Sequence, residues 1–244
     1  MTSFAIRPEG LVLEGHLVVP DGEPRALVYL LHGIPSGNPP DPSDAGYPGF
    51  ARTMAARGFA AAHFDFRGAR GAPGDFSLSG WHADLEAALD AAPLPDLPRI
   101  IVGSSAGGSV GIVVAARRPD VAAIATLAAP AEWKRLGNDL PAAIGRFRNS
   151  GIIHDPAFPA DVDAWWDEFE QGSPHLHVAR IAPRPLLVMH GDNDDVVPYT
   201  HAEQLFAEAG DRKEILRVRG AGHQLRRDPR ALDALFDWLD RSGF

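Results

Sequence analysis

From Ile100 to Ala116 the chain carries no charge, and the stretch is crowded with Gly103, Ser104, Ser105, Gly107, Gly108, Ser109 and Gly111. It is too short and too rich in glycine and serine for a membrane span. It reads instead as a buried strand, Arg99 to Val102, turning sharply into a buried helix from about Ala106 to Arg118 that Pro119 closes. A buried strand feeding a buried helix belongs in a sheet covered by helices.

The rest of the chain alternates short apolar or β-branched runs with longer Ala/Leu-rich stretches. Leu11 to Val19 alternates like a strand and stops at Pro20-Asp21-Gly22. Arg25 to Leu31 is a continuous apolar run ended by His32-Gly33, as in a buried central strand. Pro48 to Arg57 has helical character, and Gly58 follows as a C-terminal cap. Phe59 to Phe64 is a strand. Gly80 to Ala91 spaces Trp81, Leu85, Ala88 and Leu89 as a helix does. Val121 to Leu127, Pro185 to Met189 and Glu214 to Val218 are further strands, and Pro229 to Leu239 is the terminal helix. The expectation is a single α/β domain over residues 1–244, with about eight mostly parallel strands and roughly six flanking helices.

Between Ala131 and Pro183 the alternation stops. The segment holds no clear strand and gathers Trp133, Phe147, Phe158, Trp165, Trp166 and Phe169. We read 131–183 as a helical cap inserted over the carboxyl ends of the strands, with Trp165 and Trp166 as substrate-binding residues. The competing reading makes these ordinary surface helices whose tryptophans pack downward. Asn38 to Pro48, with four prolines, is a long loop.

Composition removes several function classes. A formal net charge of -9 with scattered basic residues argues against a nucleic-acid partner. The chain contains no cysteine, which excludes disulfides, a thiol nucleophile and Cys-based metal sites. No basic segment followed by an apolar stretch opens the chain, so a cytoplasmic protein with no membrane partner is expected. His175-Leu176-His177 lacks a carboxylate at ligand spacing, so neither a metal site nor another cofactor is expected. A homodimer is compatible with the sequence but is not legible in it.

Chemistry concentrates at Gly103-Ser104-Ser105-Ala106-Gly107, placed between strand and helix. On such a turn Ser105 would sit in a strained conformation with its hydroxyl projecting above the sheet. A Cβ at Gly103 or Gly107 would collide with the neighbouring strand or helix. The amide of Ala106, at the helix start, is placed to donate to a developing oxyanion. A phosphate loop fits poorly, because Ser109-Val110 stands where Lys-Ser/Thr is required.

A serine nucleophile needs a base. Of the ten histidines, His223 lies in Gly220-Ala221-Gly222-His223, after the last strand and before the final helix. The acid is sought in His190-Gly191-Asp192-Asn193-Asp194-Asp195-Val196-Val197-Pro198. Spacing favours Asp194, with Asp195 in reserve and Asp192 capping the turn. The order Ser, Asp, His is that of one known architecture.

On these residues, together with Leu31-His32-Gly33 and Asp65-Phe66-Arg67-Gly68, the chain resembles the α/β-hydrolase superfamily over nearly its whole length. The nearest likeness is to small bacterial esterase-like members related to the prolyl-oligopeptidase and dienelactone-hydrolase branches. The resemblance implies that the amide of Ile34 is the second oxyanion donor beside Ala106, and that Asp65 and Arg67 tie loops at the sheet edge. Two departures matter: there is no cysteine nucleophile, as a dienelactone hydrolase would have, and no N-terminal propeller. The implied activity is hydrolysis of a small-molecule acyl substrate, a carboxylic ester first, with thioester or amide as variants. Two rivals are a catalytically weak ligand-binding protein on the same fold and a cofactor-free perhydrolase or lyase with the same triad.

Overall fold

A computed structural model describes residues 1–37, 41–91, 93–133 and 140–244. Part of the proline-rich loop, Asn38 to Pro40, and residues 134–139 of the segment read as a cap, 131–183, lie outside the described residues. The strands are β1 (Thr2–Ile6), β2 (Leu13–Val18), β3 (Leu27–Leu31), β4 (Ala60–Phe64), β5 (Arg99–Ser104), β6 (Val121–Leu127), β7 (Leu186–Gly191) and β8 (Lys213–Val218). The helices are α1 (Gly46–Ala56), α2 (Leu78–Asp90), α3 (Ala106–Ala115), α4 (Leu140–Asn149), α5 (Val162–Gln171), α6 (Thr200–Glu208) and α7 (Pro229–Arg241).

The eight strands form one sheet in the order β1-β2-β4-β3-β5-β6-β7-β8. The first two pair antiparallel, β2 runs antiparallel to β4, and every later pairing is parallel. Period-two alternation sorts side chains to two cores. Leu27, Tyr29, Leu31, Ile101 and Ile124 pack on the face covered by α2 and α3. Val28, Leu30, Ile100, Val102 and Ala125 pack on the face covered by α1 and α7. Both faces are therefore dry, which is why β3 reads as an unbroken apolar run.

The helix ends follow from local chemistry. Ser77 caps α2 by accepting the amide of Gly80 at 3.0 Å. Asp228 caps α7, with Pro229 at its first turn. Gly58, just past α1, takes φ 85°, a left-handed conformation that closes the helix without a Cβ clash.

In the 131–183 segment, α4 and α5 pack their aromatic faces against each other and against Phe76, in the loop after β4. Trp165 donates its indole N–H to the carbonyl of Phe76 at 3.0 Å. It packs edge-on to Phe147 and Phe169, with centroids 5.7 and 4.9 Å away. The segment is also stitched to the loop after β4: Ile152 accepts the amide of Phe76 at 2.9 Å, and the ring of His154 meets the carbonyl of Gly68 at 2.9 Å. Among the described residues, no helix is long and apolar enough to cross a membrane.

Candidate active site

At the end of β5 the chain must reverse into α3 within one residue. Ser105 absorbs that reversal at φ 52°, ψ −127°, a region that residues with a Cβ rarely enter. Its amide donates to the carbonyl of Leu127 at 2.8 Å, tying the bend to β6. The two glycines expected to permit the approach do so by contact. A Cβ on Gly103 would stand 2.5 Å from the carbonyl oxygen of Gly107, and one on Gly107 would stand 2.4 Å from that of His32. Gly33 passes directly over the serine: a Cβ there would stand 2.7 Å from Ser105 Cβ and 3.2 Å from Oγ.

Ser105 opens on a cavity of about 580 Å³. Ile34 lines it, as do Tyr47, Arg70, His223 and Arg226. Ala106 lies beneath, buried at the first position of α3. The first amides of a helix have no partner within it. Among the described residues, no hydrogen bond occupies the amide of Ala106 or of Ile34.

His223 and Asp194 meet because their loops cross. The amide of Asn193 donates to the carbonyl of Ala221 at 3.0 Å, and a Cβ on Gly191 would stand 2.2 Å from that same oxygen. The approach brings Asp194 Oδ2 to 2.8 Å from His223 Nδ1. Oδ1 accepts the amides of Val196 at 2.9 Å and Val197 at 2.8 Å, which fixes the carboxylate plane. The side chain of Asp194 is fully buried, while that of His223 keeps 20% exposure on the cavity side. Burial would push the Asp194 carboxyl up, but bonds from His190, His223 and the Val197 amide outweigh it and hold the group well below the usual carboxylate range. A carboxylate partner on Nδ1 places the imidazole proton there and leaves Nε2 unprotonated. Ser105 and His223 share the cavity, although no hydrogen bond joins their side chains.

The neighbours of Asp194 have other work. Asp192 accepts the amide of Gly220 at 2.6 Å and the guanidinium of Arg217 at 3.0 Å, holding the turn after β8. Asp195 is exposed. Trp165 and Trp166 are not among the residues lining the cavity; both belong to the aromatic cluster of α5. His175 and His177 are engaged by the carbonyls of Ala131 and Gln171. Among the described residues, no group of three His, Cys, Asp or Glu could hold a metal ion.

Three features were not legible in advance. Tyr47 forms a wall of the cavity, with the guanidinium of Arg226 at 5.3 Å from its ring centroid. Asp44 pairs with Arg226 and joins the loop before α1 to the segment after His223. His190 stands against Asp194 from behind. Only His190 left a trace in the sequence, as a histidine at a strand end four residues before the acid. His32 is fully buried: its Nδ1–H donates to the Gly33 carbonyl at 2.7 Å, and its Nε2 accepts the amide of Phe66 at 3.0 Å. Burial, helped by Arg70, lowers it to about 4, so it is neutral at ordinary pH.

Comparison with known proteins agrees with this architecture. The family model described as serine aminopeptidase, S33, matches residues 22–152. An uncharacterized protein of Mycobacterium tuberculosis is 31% identical over 174 residues, which are 70% of this chain and 54% of that one. The chain thus matches about half the length of that relative. A monoacylglycerol lipase of Mycolicibacterium smegmatis is 25% identical over 260 aligned positions, covering 90% of each chain. The crystal structure of a Paleococcus ferrophilus monoacylglycerol lipase superposes with TM-score 0.70 at 21% identity, covering 95% of this chain and 99% of that one. This chain belongs to the serine aminopeptidase S33 family, within the α/β hydrolases.

Proposed function

We propose that the protein hydrolyses carboxylic esters through an acyl-enzyme on Ser105, with His223 as base and Asp194 as the acid that orients it. One observation carries the reading. The hydroxyl of a backbone-strained serine shares a cavity with an imidazole whose other nitrogen is held 2.8 Å from a buried carboxylate.

In the first half-reaction Ser105 Oγ bonds to the carbonyl carbon while its proton passes to His223 Nε2. The carbonyl electron pair moves onto oxygen, where the amides of Ile34 and Ala106 are the donors. Collapse breaks the bond to the alkoxide, which takes the proton from His223. Water then repeats the sequence on the acyl-enzyme and frees Ser105. Asp194 stays ionised throughout and stabilises the transient imidazolium.

The cavity wall formed by Tyr47, Arg70 and the Asp44–Arg226 pair favours small acyl groups over long alkyl chains. The lipase names of two relatives support ester over amide cleavage. Labelling with a fluorophosphonate probe and assay with p-nitrophenyl esters of increasing length test the reading. The wild type should label and should cleave acetate or butyrate best; Ser105→Ala should neither label nor turn over above background. Retained esterase activity in Ser105→Ala would remove the proposal.

A further inference from the structure

His190, at the end of β7, has no exposed surface, yet its ring is only half satisfied. Nε2 lies 2.8 Å from the carbonyl oxygen of Val197. A carbonyl can only accept, so Nε2 must carry the proton. Nε2 itself lies 3.3 Å from Asp194 Oδ2, the same oxygen that meets His223, while its proton is directed at Val197. The other nitrogen, Nδ1, is buried without a hydrogen-bond partner. An unsatisfied buried nitrogen is costly, and an apolar side chain would avoid that cost at a purely packed position. What the imidazole adds is the N–H dipole behind the carboxylate, in a site where low polarisability makes such dipoles strong.

We propose that His190 is a positioning residue: the positive end of its Nε2–H dipole, close behind Asp194 Oδ2, shares the carboxylate's charge and so sets how tightly His223 holds its proton. The inference rests on the Ser105–His223–Asp194 reading above. Its logic is one of competition. Charge that Asp194 Oδ2 spends on His190 is not spent on the imidazolium of His223, so His223 releases its proton more readily to the leaving group. The other groups facing this corner are already committed or neutral. Tyr199 lies edge-on to His190 at 6.0 Å, and Arg217, on the adjoining strand β8, lies over Tyr199 and pairs with Asp192. On the cavity side Arg226 pairs with Asp44 and Arg227 with Asp41.

The test compares His190→Gln, which can return a donor near the Nε2 position, with His190→Phe and His190→Asn, which cannot. The His223 titration is followed by NMR in the Ser105→Ala protein, and the acid limb of kcat/KM for p-nitrophenyl acetate in the active enzyme. Both midpoints should rise by roughly half a unit or more in His190→Phe and His190→Asn. In His190→Gln they should stay near the wild-type value. If His190 merely fastened the loop through Val197, its loss would loosen Asp194 and the midpoints would fall; a fall, or no change, overturns the inference. His190→Asn keeps the test open should His190→Phe fail to fold. Asp194→Asn separates the two readings. If it leaves the His223 titration unmoved, the triad reading fails; if it moves the titration while the His190 variants do not, only the present inference fails.

Discussion

Holding a non-glycine residue in the conformation of Ser105 costs about 1–3 kcal/mol and persists only where the surroundings over-determine it. Here they do so through backbone, not side chains: Gly103, Gly107 and Gly33 each let a main-chain segment come closer than any Cβ would allow. Two of those three were legible as flanks of a strand-to-helix serine. Gly33 was legible as a strand stop and as part of the Leu31-His32-Gly33 likeness, but its contact with Ser105, far along the chain, is announced by nothing local. The three differ in what they protect. Gly103 and Gly107 abut backbone atoms, so a methyl there opposes the fold itself. At Gly33 the nearest atoms are Ser105 Cβ and Oγ. Gly33→Ala should therefore displace the hydroxyl and the Ile34 amide while leaving most of the stability intact. A misplacement near 1 Å costs on the order of 10²-fold in rate. Steady-state kinetics should show kcat down by about that factor, with the urea midpoint of unfolding little changed.

At the scale of elements, visibility tracked burial. Strands β3 and β5 are dry on both faces and appeared as unbroken apolar runs. Strand β1, the sheet edge, buries only Ile6 and gives no periodic signal. Helix α6 buries only Ala202 and Leu205 and leaves Phe206 and Ala207 outside the core, so it too was silent. The 131–183 segment stood out by a break in alternation and a gathering of aromatics, but aromatic density does not say which way a ring points. The structure directs Trp165 inward: 3% exposed, bonded to the Phe76 carbonyl and wedged between Phe147 and Phe169. Its truncation should act on folding. Trp165→Ala is expected to cost about 3–5 kcal/mol, the range for deleting a large buried aromatic. Trp166, only partly buried, should cost much less on truncation. Guanidinium unfolding measures both. The fold-preserving variant Trp165→Phe should retain the chain-length preference toward p-nitrophenyl esters, and an altered preference would return Trp165 to the substrate pocket.

Taken whole, the molecule buries four imidazoles among the described residues, His190 behind the triad and three others in separate places. His32 lies under the active-site cavity, His63 within β4 and His82 on α2. Burial lowers them to about 4, 4 and 3. An unfolded chain would titrate the same rings near pH 6.5. Between those values the unfolded state binds protons that the folded state refuses, so stability is complete above about pH 7 and drains away as pH falls from about 6.5 toward 4. Each such proton contributes a slope of about 1.4 kcal/mol per pH unit within its window. The depressed carboxylates Asp44 and Asp194 act in a different window: their contribution is present above about pH 4 and is lost only as pH falls further. The two effects separate on a stability curve, and the histidine part should dominate between pH 6.5 and 4.5. Urea unfolding across that range should show the loss directly, whatever activity does. His82 offers the sharpest check, since its Nε2 is buried without a partner. His82→Leu removes one refused proton and should flatten the slope by about one proton's worth while leaving pH 8 stability close to wild type. A stability curve level down to pH 4.5 would mean that these rings accept protons in the folded state, and that the burial seen around them does not exclude water.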